Sequence, residues 1–268
     1  MKPKYGLSVN NREMAEAVTL LLTDNRICHI QFQYSANTFW GDYIDFYREI
    51  VSIRPDISWS LHAYNEINFA EPNPMILEAW MTLAQNTIDD AARINGAFVN
   101  FHFGGYSNEP GNYDQALKTA RRTLHELSLY AQNKSIAISV ENIFNTHSSS
   151  DYLYLGDKKE DFIQILKNSP GNIFICYDYG HGNINDLQRS DLSDPSSGLR
   201  INSLHIHDND KISDRHYALG DVRGTINWPS ELRLLKTSSF AGFLIFESYL
   251  SAYKSSLDFC LQYFQEAR

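Results

Sequence analysis

The sequence has no paired cysteines and no long apolar run. Cys28, Cys176 and Cys260 are odd in number, far apart and in no CxxC arrangement, which argues against a disulfide framework and leaves the thiols free. No segment approaches the length needed to cross a bilayer, and the opening MKPKYGLSVNNREMAEAV has no apolar stretch followed by a cleavage site, so a cytoplasmic protein without membrane attachment is the expectation. Positive charge is also scarce. The 23 Lys and Arg face 32 Asp and Glu, for a net charge of −9, which withholds the broad positive field that nonspecific nucleic-acid binding draws on. Bound divalent ions would add positive charge that this count omits. No low-complexity or Pro/Gly/Ser-rich linker divides the 268 residues, so a single domain is expected.

What the chain does contain is an alternation. Short runs rich in β-branched and aromatic residues mark strands at Tyr5–Val9, Ile27–Tyr34, Ile57–Ala63, Phe98–Phe103, Ile136–Val140, Ile173–Tyr177, Ile201–Ile206 and Phe243–Phe246. Segments of helical period lie between and after them, at 12–22, 41–53, 74–94, 113–132, 159–166 and 249–265. Eight βα units with no two strands adjacent in sequence predict parallel strands with crossover connections. The count of eight, together with the absence of a GxGxxG after the first strand, favours a closed (β/α)8 barrel over an open nucleotide-binding sheet.

The polar residues fall in one register. His62 closes WSLHA, His102 closes VNFHF, Glu141 closes AISVE, Asp178 closes IFICYD, His205 lies in INSLHIH, and Glu247 closes FLIFE. Parallel barrel strands send their C-terminal ends to one face, so six side chains far apart in sequence are predicted to meet at one mouth. The densest stretch is SLHIHDNDKISDRHYALG. His205 and His207 alternate there with Leu204 and Ile206, which puts both imidazoles on one face of a strand, and Asp214 and His216 follow in a loop. His181, three residues after Asp178, brings the set of candidate ligands to nine. Imidazole and carboxylate suit zinc, manganese or iron(II); nine such residues exceed one ion's needs, so one to three ions per chain, or a division between metal and substrate, stay open.

Arranged in this order, the segments HAYNEINFA, VNFHFGG, SVEN, CYDYGH, HIHDND and DRHYALG resemble the xylose isomerase-like TIM barrels, over about Tyr5 to Glu247. That superfamily includes sugar isomerases and epimerases, inosose and dehydroshikimate dehydratases, and the endonuclease IV class of apurinic-site nucleases. The resemblance implies a four-ligand metal site at Glu141, Asp178, His205 and Glu247, with the two glutamates also exchanging protons with the sugar carbon. It also implies that His62, His102, His181, Asp214 and His216 complete the pattern of the three-zinc nucleases, to which the Asp-Arg-His of Asp214–His216 is especially similar.

Several departures lead away from the nuclease branch. Asn65 stands where the nucleases have tyrosine, with Tyr64 one place early; the loop from His205 to Asp214 is shorter; Gly220-Asp221-Val222 replaces Gly-x-Gly; and SANTFWGD, after the second strand, lacks arginine. True xylose isomerase carries a lysine after its metal glutamate, whereas Glu141 is followed by Asn142, Ile143 and Phe144. The expected function is therefore a divalent-metal-dependent isomerase or epimerase of a small sugar, keto-sugar or polyol, with Glu141 and Glu247 as the acid/base pair and a metal-stabilised enediolate. His207, Tyr64, Trp40 and Asp208 are expected at the substrate. The alternative is a trinuclear zinc phosphodiesterase acting on abasic DNA, the one reading in which nucleic acid is a partner. An oligomer is compatible with either.

Overall fold

The structure is a computed structural model and describes residues 3–34, 40–145, 149–193, 198–238 and 240–264, with no side-chain description for 40–42. Eight parallel strands close into a barrel: β1 (Lys4–Val9), β2 (Ile27–Gln33), β3 (Ser58–His62), β4 (Phe98–His102), β6 (Ala137–Glu141), β8 (Ile173–Asp178), β9 (Ile201–Ile206) and β10 (Phe243–Phe246). They follow one another around the ring, and β10 closes on β1 with Lys4 to Leu7 in register with Phe243 to Phe246. Between and after them lie α1 (Met14–Thr23), α2 (Trp40–Ile53), α3 (Pro74–Arg93), α4 (Asn112–Asn133), α5 (Lys159–Leu166), α6 (Tyr179–Asn185), α7 (Trp228–Thr237) and α8 (Leu250–Phe264). The expected (β/α)8 barrel is the fold observed.

Three features differ from the expectation: the seven-residue α6, capped by the Asp178 side chain where no helix is expected, a ribbon, and α7. The ribbon of two strands, β5 (Gly105–Ser107) and β7 (Tyr152–Tyr154), pairs antiparallel above the barrel and is built from the connections after β4 and β6. Each strand has three residues, too few for a period to register. The third is α7, which the sequence reading leaves as loop. Pro229 opens it, where its missing N–H costs nothing, the Asn227 side chain accepts from the Ser230 amide, and Leu232 and Leu235 are buried.

Strand alternation divides the core. Residues such as Leu61, Val99, Ile138, Val140, Ile175, Leu204 and Ile206 face outward into the helix layer and are fully buried. The opposite face of the same strands fills the barrel, and it is largely polar. At the bottom His29 packs against Phe243 and Phe98, with ring centroids 4.2 and 5.8 Å away, and its two nitrogens meet Ser58 Oγ at 2.9 Å and Ser60 Oγ at 2.8 Å. Above it lie Gln31, Ser60, Asn100, Ser139, Cys176 and Ser203, all fully buried. Each stands two residues before, and hence on the same face as, a residue at the mouth.

Candidate metal centre

The mouth is a cavity of about 480 Å³ at the C-terminal ends of the strands. Seven of the nine candidate ligands line it: His62, His102, Glu141, His181, Asp214, His216 and Glu247. Asp178 and His205, both fully buried, lie within reach of these. The nine residues thus meet, the six at strand ends as the register of the strands predicts and His181, Asp214 and His216 from the segments beyond.

Glu141 is the hub. Its Oε2 lies 3.2 Å from His62 Nε2 and 3.7 Å from His102 Nε2, and its Oε1 lies 3.1 Å from His205 Nδ1 and 3.4 Å from His181 Nδ1. The Asn100 side-chain amide also donates to Oε2. Burial opposes the charge on Glu141, but the imidazoles of His205, His102 and His181 override it and hold the carboxyl well below the usual carboxylate range. Asp178 behaves in the same way: desolvation is outweighed by His181, His207 and His205. Glu247, at the end of the neighbouring strand β10, approaches His205 Nδ1 at 3.3 Å, its Oε1 accepting from Gln33 Nε2 (3.0 Å) and Ser8 Oγ (3.2 Å). Glu141, Asp178, His205 and Glu247 each present a ligand atom within 4.8 Å of the others'.

A second group forms beside the first from His207, Asp214 and His216. His207 stacks on His216 at 4.0 Å and sets Nε2 3.0 Å from Asp178 Oδ2. Gly180 presses against the same ring; a β-carbon there would lie 2.0 Å from His207 Cε1, so α6 can approach only without a side chain. His216 occupies the left-handed region, with φ 50, which a β-carbon disfavours. Desolvation would lower its pKa, but Asp214 overcomes this and pushes the imidazole up to about 9.

The donor set fits a divalent cation. His62, His181 and His216 each set Nδ1 2.8 Å from a backbone carbonyl, of Ala63, Asn142 and Glu247 respectively. With the Nδ1 proton donated there, Nε2 presents its lone pair, and in all three it faces a carboxylate oxygen: Glu141 for His62 (3.2 Å), Asp214 for His181 (3.4 Å) and His216 (2.9 Å). Between such a nitrogen and a carboxylate stands a proton or, when one is bound, a cation, and anchoring through Nδ1 is the arrangement by which proteins orient metal-binding histidines. Buried atoms of His102 (Nε2), His205 (both nitrogens), His207 (Nδ1) and Asp214 (Oδ1) have no hydrogen-bond partner, which is costly unless something else satisfies them.

The expected substrate contacts are less well placed. His207 is fully buried behind His216. Tyr64 packs edge-on against Tyr34 at 5.5 Å and is not among the residues lining the cavity. Asp208 points away from the mouth: its carboxylate accepts from Trp228 Nε1 (3.0 Å) and from the amides of Asn209, Thr225 and Ile226, fastening α7 and the preceding loop to the end of β9. The side chain of Trp40 and residues 35–39 lie outside the described residues. In place of these, the walls come from Gln33, Asn65, Ile143, Phe144, Asn145, Ser150, Tyr152 and Tyr154. Among the described lining residues there is no lysine or arginine.

Several supports of the site carry no ligand chemistry; of those described next, Asn68 stands out in the sequence only through the resemblance of HAYNEINFA to the family. Asn142 bridges to Asp178 through both backbone groups, accepting from its amide (2.7 Å) and donating to its carbonyl (2.9 Å). Asn68 fastens the ribbon. Its amide donates to Gly105 O and Tyr152 Oη, its oxygen accepts from Ala70 N and Gly105 N, and Gly104 at φ +90 leaves it the space. A polar residue two places before a ligand, such as Asn100 before His102, was the available signal.

A closed parallel barrel with imidazoles and carboxylates gathered at its mouth defines a (β/α)8 barrel with side-chain groups that could hold a metal ion. The family model described as Xylose isomerase-like TIM barrel matches residues 18–263, and the chain belongs to that family. In sequence it is 26% identical over 199 residues, 73% of this chain, to the uncharacterized protein MJ1311 of Methanocaldococcus jannaschii. The chain spans about two thirds of the length of the curated relatives it matches. In structure it is similar to a D-tagatose 3-epimerase-like protein (TM-score 0.78, 21% identity, 97% of each chain). It is also similar to the 3-keto-D-glucoside 4-epimerase YcjR of E. coli (TM-score 0.74, 12% identity, 97% of this chain and 100% of that one).

Proposed function

We propose that the protein is a divalent-metal-dependent isomerase or epimerase of a small sugar, keto-sugar or polyol. The observation that carries this reading is the convergence of Glu141 and Glu247 on His205 Nδ1, at 3.1 and 3.3 Å, in one cavity whose described lining residues include no lysine or arginine. Glu141, Asp178, His205 and Glu247 would hold the ion, which supplies positive charge for an oxyanion developing beside the reacting carbon. The fold and the structural likeness to sugar epimerases support the same class.

In this reading one glutamate removes the proton from the carbon next to a carbonyl, and the C–H electron pair moves toward the carbonyl oxygen to give an enediolate. Return of a proton to that carbon from the other glutamate inverts its configuration; return to the neighbouring carbon moves the carbonyl instead. The surrounding imidazoles keep Glu141 ionised, the form that a base requires. Gln33 and Ser8 hold Glu247 in place, so its free lone pairs keep one direction. Tyr152, Tyr154 and Phe144 line the wall and offer apolar surface to a sugar ring, while Asn65 and Asn145 offer polar groups to its hydroxyls.

The second group, His207, Asp214 and His216, favours one other reading, a trinuclear zinc phosphodiesterase acting on abasic DNA. Two assays run in parallel separate them. Keto-sugars incubated with the metal-loaded protein in deuterated water should gain deuterium at the carbon beside the carbonyl, and a duplex with one abasic site should stay intact. Cleavage of that duplex, lost in His216→Ala, would overturn the sugar reading.

A further inference from the structure

The chain is acidic overall, with 32 Asp and Glu against 23 Lys and Arg, yet four of its Lys and Arg side chains and one histidine line a single groove. Lys118, Arg121, Arg122 and His125 stand at i, i+3, i+4 and i+7 on α4, so they share one face of that helix. Lys167, just past α5, completes the set, followed by Asn168, which turns the chain in the left-handed region with φ 61. With Glu126 and Ser169 these residues enclose about 380 Å³, within the range of roughly 300–1,000 Å³ that small-molecule sites occupy. Arg121 Nη2 donates to the Lys167 carbonyl at 3.1 Å and ties the two walls together. Lys167 leads into the start of β8, so the groove lies on the outer flank of the barrel, away from the mouth.

Like charges at these helical spacings repel by about 0.2–0.5 kcal/mol a pair, and elsewhere the chain neutralises its arginines. Arg26, Arg48, Arg54, Arg93 and Arg223 each pair with an aspartate two or three residues away. Arg121 and Arg122 have no aspartate at those distances, and among the described residues neither they nor Lys118 and Lys167 form an ion pair. We infer that this groove is a binding site for a small phosphate-bearing anion. Two neighbouring guanidinium groups suit a tetrahedral oxyanion, since each can give it two parallel N–H donors. Asn168 and Ser169, whose side chains make no hydrogen bond among the described residues, add neutral donors at the other wall. Four fixed cations against the single carboxylate of Glu126 leave a surplus of three, close to the charge of a diphosphate. A long polyanion would run out of the groove onto a molecule whose net charge is −9, which favours a short one. The assignment does not depend on the chemistry proposed at the mouth.

The probe is pyrophosphate, titrated calorimetrically into the full chain in dilute buffer, first as purified and again with excess chelator, which removes any ion at the mouth that could itself hold the anion. One site per chain is expected under both conditions, with affinity falling as salt is raised. Lys118→Gln combined with Arg122→Gln should weaken binding by about 100-fold, roughly tenfold for each charge-assisted contact. Arg121 is left in place because it also bridges the walls. Both substituted side chains are exposed, so the melting temperature should stay within about 2 °C of wild type. Arg122→Gln alone, with an expected loss of about tenfold, serves should the double variant melt early. Lys254→Gln, at an exposed cation on α8, is the control and should stay within about twofold of wild type. Equal affinity in wild type and double variant overturns the assignment, as does an equal loss in Lys254→Gln, which would make binding a matter of net charge alone. Binding that the chelator abolishes belongs to the mouth and overturns it too, as does no binding at millimolar pyrophosphate. A short DNA duplex or a phosphatidylserine vesicle held more tightly than pyrophosphate, and released in the double variant, would give the groove to a macromolecular surface and overturn the small-anion assignment.

Discussion

Replacing Asn142 with alanine probes the site through its scaffold. The side chain is fully buried and makes two hydrogen bonds, both to the backbone of Asp178, which is also fully buried. Truncation leaves the Asp178 N–H and C=O without these partners, in a place where no polar side chain can swing in without moving β6 or β8. The Asp178 C=O, as the cap of α6, keeps the first hydrogen bond of that helix, so the N–H alone is orphaned, at a cost of about 1–3 kcal/mol. For a chain of this size that corresponds to a fall of roughly 5 °C in melting temperature. Because Asp178 also caps α6 by accepting from the His181 amide at 2.6 Å, the loss should loosen His181 as well, so metal affinity should fall together with stability. Urea unfolding of the metal-free protein measures the first effect and chelator competition the second. A change below about 0.5 kcal/mol would refute the reasoning, since it would mean that the Asp178 N–H finds another partner at no cost.

Glu141→Gln and Glu247→Gln should each lower turnover by about 10²- to 10⁴-fold while leaving the circular dichroism spectrum unchanged; near-normal turnover removes that residue from the acid/base role. Chelator treatment should abolish activity and lower the melting temperature, with a divalent ion restoring both; an active metal-free preparation would contradict the proposed chemistry. His216→Ala should reduce the bound metal per chain by one ion at saturation, as counted by atomic emission; an unchanged count would assign Asp214 and His216 to substrate. Burial, and to a smaller extent Lys4, depresses the His29 imidazole from 6.5 to about 3, so it takes up a proton on unfolding. Its contribution is complete above pH 6.5 and is lost as pH falls, reaching about 2 kcal/mol by pH 5. Relative to His29→Gln, the wild type should therefore lose stability between pH 6.5 and 3, and parallel pH profiles would contradict this.

The barrel was legible because its signals are dense and repeated. Runs such as IFICYD and FLIFE combine β-branched or aromatic residues with a terminal acid, and period 2 then fixes which side chains share a face. Six of the nine candidate ligands followed from that register; His181, Asp214 and His216 were added from a turn and a loop beside it. The residues that hold them in place did not follow, because glutamine, serine and asparagine carry no ligand chemistry: Gln33, Ser8, Asn100 and Asn142 become visible only when strands far apart in sequence are set side by side. Asp208 shows the converse error. It is expected at the substrate together with His207, yet neighbours on an extended segment point to opposite sides, and its carboxylate accepts from Trp228. The ribbon and α7 were lost for want of length: three residues show no period, and ten beginning with Trp-Pro show little more.

The ribbon formed by β5 and β7 has a consequence for how the family diversifies. It rises from two separate connections, is fastened by one asparagine and supplies Tyr152 and Tyr154 to the cavity wall, yet contributes none of the nine candidate ligands. Changes in its length or tyrosines would reshape the opening without disturbing the charges beneath. Selection for a new substrate and selection for an intact reaction centre therefore act on different stretches of the gene, and a ribbon transplanted from another member should carry its preference with it.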